Sequence, residues 1–288
     1  MEKIQLNIRE TVRYLSHDIG ERSCLDTKKL DLAADYIQDK LRCYGCPIER
    51  QSFTYRGKTY SNIIAEVRGL RDKKDGILVI GAHYDTVAGT PGADDNASGV
   101  AGLLELARLT VSNPLARTVR FAAFSLEEPP AFPTNHMGSF VYAKALKEKG
   151  VKVEGMISLE MLGYYCNDKG CQIYPFSFFK LFYPAKGDFI SFVGNLSSRA
   201  FMNKIKDYFM SASRMPVESL TGISLIPGVD FSDHRNFWKF GYPAFMITDT
   251  AFYRNPNYHG PGDTADTLDY EKMTELVAGL YKALAKQS

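Results

Sequence analysis

Glu127 and Glu128 are adjacent carboxylates just beyond the apolar run 118–124, and three other short apolar runs lead to a histidine or an acid in the same way. The run 77–82 leads into His83 and Asp85, 156–159 into Glu160, and 243–248, after a loop, into Tyr258 and His259. Imidazole nitrogen and carboxylate oxygen are the donors zinc takes in hydrolytic sites, where one position is kept for water. Two ions about 3.5–4 Å apart need a bridging carboxylate, terminal ligands for each and a shared water. His83, Asp95, Glu128, Glu160 and His259 make up such a set. Its three carboxylates leave two divalent ions with one surplus positive charge, which a bridging hydroxide cancels, so no large uncompensated charge is buried. Asp85 is placed to accept the second ring N–H of His83. Glu127, left over beside a ligand, suits proton transfer.

The four runs are short and apolar and lie between helical patterns, as in buried, largely parallel strands. In open α/β sheets ligands gather beyond the carboxyl ends of the strands, so these polar residues should meet at one edge. A helix is expected over 26–44, capped by Asp26 or Thr27, with Leu30, Ala33, Ala34, Ile37 and Leu41 on one face and Gly45 closing it. Residues 48–55 and 58–68 read as a hairpin about Arg56-Gly57, at the sheet edge. The segment 92–99, with its glycines and Asx residues, is a tight loop opening into a helix over 100–109, which puts Asp94 and Asp95 at a helix start. Helical spacing recurs over 137–149, 197–210, 232–240 and 270–286. Strands alternating with helices predict an α/β sandwich.

Composition bounds the function. The 288 residues are 45% hydrophobic, 24% charged and 12% aromatic, enough for one large core, and no linker or repeat divides the chain, so a single domain over 1–288 is expected. A net charge of +2 without a dense basic cluster argues against nucleic-acid binding. No run is long enough to span a bilayer, and the charged, amphipathic N-terminus lacks a signal-peptide core. As it stands the chain reads as cytoplasmic; a secreted or periplasmic chain cleaved from a leader would read the same. Five cysteines argue against a fully paired secreted scaffold. Cys43 and Cys46 form a C-x-x-C, and Cys166 and Cys171 flank a turn. About 120 residues separate the pairs, too far for a zinc ribbon, so free thiols with one local disulfide are the expectation.

His83-Tyr-Asp85, Gly92-Ala-Asp-Asp-Asn-Ala-Ser-Gly99, Glu127-Glu128 and Tyr258-His259-Gly-Pro-Gly-Asp-Thr264, in that order, resemble the di-zinc aminopeptidase family. That family includes bacterial secreted leucyl aminopeptidases, glutamate carboxypeptidase II and, more distantly, glutaminyl cyclase. The resemblance covers roughly 62–270. It implies a three-layer zinc exopeptidase fold with a mostly parallel, mixed, twisted sheet between helices, and two zinc ions per chain. It also implies His83 and Glu160 as terminal ligands of one ion, Glu128 and His259 of the other, and Asp95 as the bridge. Glu127 would be the general base, Asp85 the orienter of His83 and Tyr258 a donor to the oxyanion. The implied reaction is hydrolysis of the N-terminal peptide bond of peptides with a free N-terminus. One position departs: the secreted aminopeptidases usually carry Asp where Glu160 stands, and the extra methylene adds about 1.5 Å of reach. That bears on the affinity of this half of the site and on the room for a substrate amine.

Two other functions fit the scaffold: a single-zinc glutaminyl cyclase-like acyltransferase or carboxypeptidase, and a non-catalytic peptide-binding domain. Retention of His83, Asp85 and every other ligand and base ranks both below hydrolysis. Among the remaining residues, Asp94 reads as structural, Asp263-Thr264 as the cap of the turn after His259, and His17, His136 and His234 as surface or supporting residues. Ser232-Asp233-His234 looks like a helix start near the site. The aromatic stretch 174–183 reads first as buried filler and second as the wall of an apolar side-chain pocket.

Overall fold

The computed structural model describes residues 1–71 and 76–286. Eight strands form a single sheet: β1 (Ile48–Tyr55), β2 (Lys58–Val67), β3 (Ile77–His83), β4 (Val119–Phe124), β5 (Val153–Glu160), β6 (Ile190–Gly194), β7 (Val217–Thr221) and β8 (Ala244–Thr248), in the order β1-β2-β4-β3-β5-β8-β6-β7. Strands β4, β3, β5 and β8 are mutually parallel, while β2 runs antiparallel to β4 and β6 antiparallel to β8. The parallel centre is buried on both faces, which is why β3 reads as an unbroken apolar run rather than an alternating one. The hairpin β1–β2 turns at Arg56 and Gly57, both at positive φ, and β1 is the sheet edge.

Helices α1 (Glu2–Arg13), α2 (Thr27–Cys43), α3 (Gly99–Ser112), α4 (Gly138–Glu148), α5 (Arg199–Met210), α6 (His234–Lys239) and α7 (Tyr270–Lys286) complete the fold. The large core cluster takes its helical residues from α1, α2, α3, α5 and α7, and a second cluster takes Tyr142 and Phe237 from α4 and α6. The sheet therefore has a helical layer on each face. Asp26 caps α2, its side chain accepting from the Lys29 N–H, and all five residues of the expected face are buried. Two strands and one helix were not expected from sequence: β6, β7 and α1. No described helix is long and apolar enough to cross a membrane. Cys166 and Cys171 form a disulfide, and Cys24, Cys43 and Cys46 are free thiols.

Register brings the chemistry together. His83 pairs with Phe124 at the end of β4, so Glu127 and Glu128 lie just past that edge; Gly81 pairs with Ser158, so two residues later His83 and Glu160 stand abreast. Glu160 in turn pairs with Thr248 of β8. Gly99 lets α3 start against the end of β5, where a Cβ would overlap the Leu159 carbonyl oxygen. Gly99→Ala is expected to lose about 1–3 kcal/mol, read as a lower urea midpoint; an unchanged midpoint would show that this approach has slack.

Candidate metal centre

Asp95 sits between two histidines. Its Oδ1 lies 3.3 Å from His83 Nε2 and its Oδ2 lies 3.2 Å from His259 Nε2. Each histidine also faces a second acid, His83 Nε2 at 3.4 Å from Glu160 Oε1 and His259 Nε2 at 3.4 Å from Glu128 Oε2. Two groups of three donors therefore share Asp95: His83–Asp95–Glu160 and Asp95–Glu128–His259. A third, His83–Glu127–Glu128, overlaps both. A tetrahedral zinc shell with bonds of about 2.0–2.1 Å has edges of about 3.3–3.4 Å, so these separations match the edges of such a shell. Asp95 Oδ1 is buried with no hydrogen-bond partner, as an oxygen reserved for a cation would be.

Electrostatics make the same demand. Asp85, Asp95, Glu127, Glu128 and Glu160 are all buried around a fully buried His83. Burial, with Asp95 adding, pushes the Glu128 carboxyl up to about 8 against the pull of His259. Burial also drives Glu127 well above the carboxylate range, opposed by His83 and reinforced by Glu128 and Glu160. Asp95 goes down, because its two histidines outweigh burial. His259 rises to about 10 against burial, through Asp95 and Glu128. So much negative charge with so few cations is stable only when further positive charge enters. The imidazole and carboxylate donors suit a divalent ion such as zinc.

The supporting contacts extend one expectation and correct another. The carboxylate of Asp85 is 3.6 Å from His83 Nδ1, and the nearer acceptor for that nitrogen is the Asp85 main-chain carbonyl at 3.2 Å. The carboxylate also accepts the backbone N–H groups of Glu127 and Glu128, both at 3.0 Å, and so holds that dipeptide against β3. Asp263 does not cap its own turn. Its two oxygens accept the N–H groups of Asp94 at 2.8 Å and Asp95 at 3.1 Å, from 169 and 168 residues away. Asp94 holds the loop as expected, accepting from Gly163 N–H and the Asn255 side chain. Three non-glycine residues at the rim, Leu126, Met161 and His259, adopt positive φ, the kind of local strain that clusters at functional sites.

The longer side chain of Glu160 is accommodated: Ser232 Oγ donates to its Oε2 at 2.7 Å, leaving Oε1 to face His83. Ser232 stands just ahead of α6, in the segment whose sequence marked a helix start. Asp233 beside it is fully buried, and burial, opposed by His83 and reinforced by Glu160, lifts it to about 7. His17 and His136 are on the surface, and His234 is buried with its Nε2 2.9 Å from the Val229 carbonyl, so none joins the cluster. Tyr258 stacks on His259 with ring centroids 3.7 Å apart. Burial and the surrounding acids raise its phenol far above the ordinary value, so it is an O–H donor throughout the physiological range.

Beside the acids opens a cavity of about 830 Å³, mouth included, lined by Glu160 and Tyr258 at one end and by Tyr174, Phe179 and Tyr183 among its walls. The aromatic stretch thus walls a pocket, the reading ranked second from sequence, although Phe178, Leu181 and Phe182 of the same stretch are exposed.

Residues 62–283 match the sequence pattern of Peptidase family M28. A protein of Escherichia coli K12 named YfbL, itself uncharacterized, is 43% identical over 286 residues, covering 96% of this chain and 86% of its own. A probable leucine aminopeptidase 1 of Trichophyton verrucosum is 29% identical, covering 95% of this chain and 70% of its own. Among solved structures, BSAP, a zinc aminopeptidase from Bacillus subtilis, superposes with a TM-score of 0.79 at 16% identity, covering 98% of this chain and 95% of that one, and so shares the fold. With the matched pattern spanning most of its length, this chain belongs to peptidase family M28 and is a metallopeptidase.

Proposed function

We propose that the protein is a two-zinc aminopeptidase whose 288 residues act as one catalytic domain on peptides with a free N-terminus. The observation that carries the count of two is the division of Asp95, one oxygen toward each histidine. His83, Asp95 and Glu160 would hold one ion and Glu128, Asp95 and His259 the other. Zinc, when bound, lowers the pKa of water toward about 7 and polarises the carbonyl to be attacked. Glu127, fixed through its backbone by Asp85 and lying outside the two groups that share Asp95, takes the proton from the attacking water and returns it to the leaving amine. Tyr258, a neutral phenol, donates its O–H to the oxygen on which negative charge develops. The cavity beside Glu160 receives the side chain of the N-terminal residue.

Elemental analysis of the purified protein tests this reading together with an assay on aminoacyl p-nitroanilides. The expected result is two zinc ions per chain, with hydrolysis abolished by a chelator and restored by zinc. One ion with cyclisation of N-terminal glutamine and no hydrolysis would replace it by the glutaminyl cyclase-like alternative. Metal-free, inactive protein would leave only peptide binding.

A further inference from the structure

The floor of the cavity is a row of side chains on one face of the sheet. Glu160 pairs with Thr248, Thr248 with Ser191, and Ser191 with Glu218, across β5, β8, β6 and β7. Paired residues of neighbouring strands share a face, and all four of these line the cavity. The row is polar throughout: a carboxylate at the catalytic end, two hydroxyls, and a second carboxylate at the far end. One register step away, Met246, Val193 and Leu220 form an apolar row, and Phe179, Phe189 and Phe252 add apolar wall.

Glu218 is the unusual member. It is half-buried in this cavity, and among the described residues it accepts no hydrogen bond and joins no ion pair. Lys206 is the one cation that acts on it, and that ammonium donates instead to Ser219 Oγ at 2.8 Å. Burial pushes the Glu218 carboxyl above its ordinary value, as expected of an acid kept from water without a partner. A partly desolvated carboxylate at the end of a mostly apolar pocket costs free energy unless an occupant brings positive charge to it. The geometry also selects for length. Three strand spacings separate Glu160 from Glu218, roughly 14 Å between backbones. A lysine side chain reaches roughly 6 Å from its Cα, and the Glu218 side chain meets it from the other end.

We infer that Glu218 is a specificity-determining residue that selects peptides beginning with lysine or arginine, the methylene stem lying along the apolar row and the cationic head on the Glu218 carboxylate. This rests on the aminopeptidase reading and names its substrate class. The test compares kcat/KM for the p-nitroanilides of Lys, Arg and Met, methionine being an uncharged side chain of similar length and shape. The native protein is expected to prefer Lys and Arg to Met by at least roughly tenfold, and Glu218→Gln to lower the Lys-to-Met ratio roughly thirty-fold, the worth of a hydrogen bond to a charged group. Because the ratio is taken within one preparation, partial misfolding of a variant divides out. Glu218→Lys, which reverses the charge, is expected to lower the ratio further. A ratio in Glu218→Gln within twofold of native, with Met substrate still cleaved, overturns this inference and leaves the aminopeptidase reading standing. A native protein that cleaves none of the three overturns both.

Discussion

Glu127→Gln is expected to lower turnover by roughly a hundred- to ten-thousand-fold, the usual worth of a positioned general base, while the protein still carries its zinc. The substitution is nearly isosteric and keeps the backbone N–H that Asp85 holds at 3.0 Å, so the Glu127-Glu128 dipeptide should not move. What it removes is the capacity to take a proton. The neighbouring acid makes the contrast: Glu128 belongs with Asp95 and His259, and Glu128→Gln should lose metal as well as rate. Because Glu127 also falls with His83 and Glu128 in a third donor group, metal content decides between its two possible roles. Elemental analysis of Glu127→Gln beside its kcat is the measurement. Zinc lost in proportion to activity would make Glu127 a ligand and end its assignment as the base.

Three of the candidate ligands, His83, Glu128 and Glu160, were legible because they stand at or just past the end of a strand whose apolar run is plain, and parallel strands deliver the residues at their carboxyl ends to one edge. That logic brings Glu127 and Glu128 to the edge alike, and a glycine-bounded loop before a helix brings Asp94 and Asp95 there alike; the roles given to Asp95, Glu127 and Glu128 come from the family resemblance. The strands β6 and β7 escaped because neither is an unbroken apolar run as the equally short β8 nearly is: Ser191 and Gly194 interrupt β6, and the Val-Glu-Ser-Leu-Thr of β7 is half-buried, its Glu218 lining a pocket rather than a core. Supporting contacts were hidden for a different reason. Asp263 accepts from Asp94 and Asp95 across more than half of the chain, a distance at which no local pattern signals contact. Asp85 lies beside His83 as strand alternation predicts, but its second task was hidden: its carboxylate also accepts the N–H groups arriving from β4. Backbone donors leave no signature in side-chain type. The same holds for a buried arginine that nothing in its sequence neighbourhood marks.

That arginine is Arg22, and Arg22→Met is expected to destabilise the protein by about 3–5 kcal/mol, the range for removing one partner of a buried charged network. Arg22 is fully buried, and its guanidinium donates to five main-chain carbonyls: Tyr84 through Nε, Leu15, Gly20 and Pro91 through Nη1, and Gly92 through Nη2, all within 2.7–2.8 Å. Its own N–H donates to Thr86 Oγ1 at 3.0 Å. One side chain therefore ties the segment after α1 to the residue following His83 and to the turn that opens into Asp95. Burial lowers its pKa to about 10, with Asp263, Asp85 and Asp95 pulling the other way, so it remains a cation at neutral pH beneath an acidic site. Methionine matches much of the stem and offers no donor, so the Tyr84, Gly20 and Pro91 carbonyls lose the guanidinium, the Leu15 and Gly92 carbonyls keep only the N–H groups of Gly20 and Ala97, and the acids lose a fixed positive charge. Lysine should rescue little, because a single ammonium has three donors at one point and cannot cover carbonyls spread around a planar fork. Urea unfolding monitored by circular dichroism would measure the loss, with the slope of the transition held as a check on two-state behaviour. A midpoint within error of the native protein would show that these carbonyls find other donors and that the Asp95 turn does not depend on Arg22.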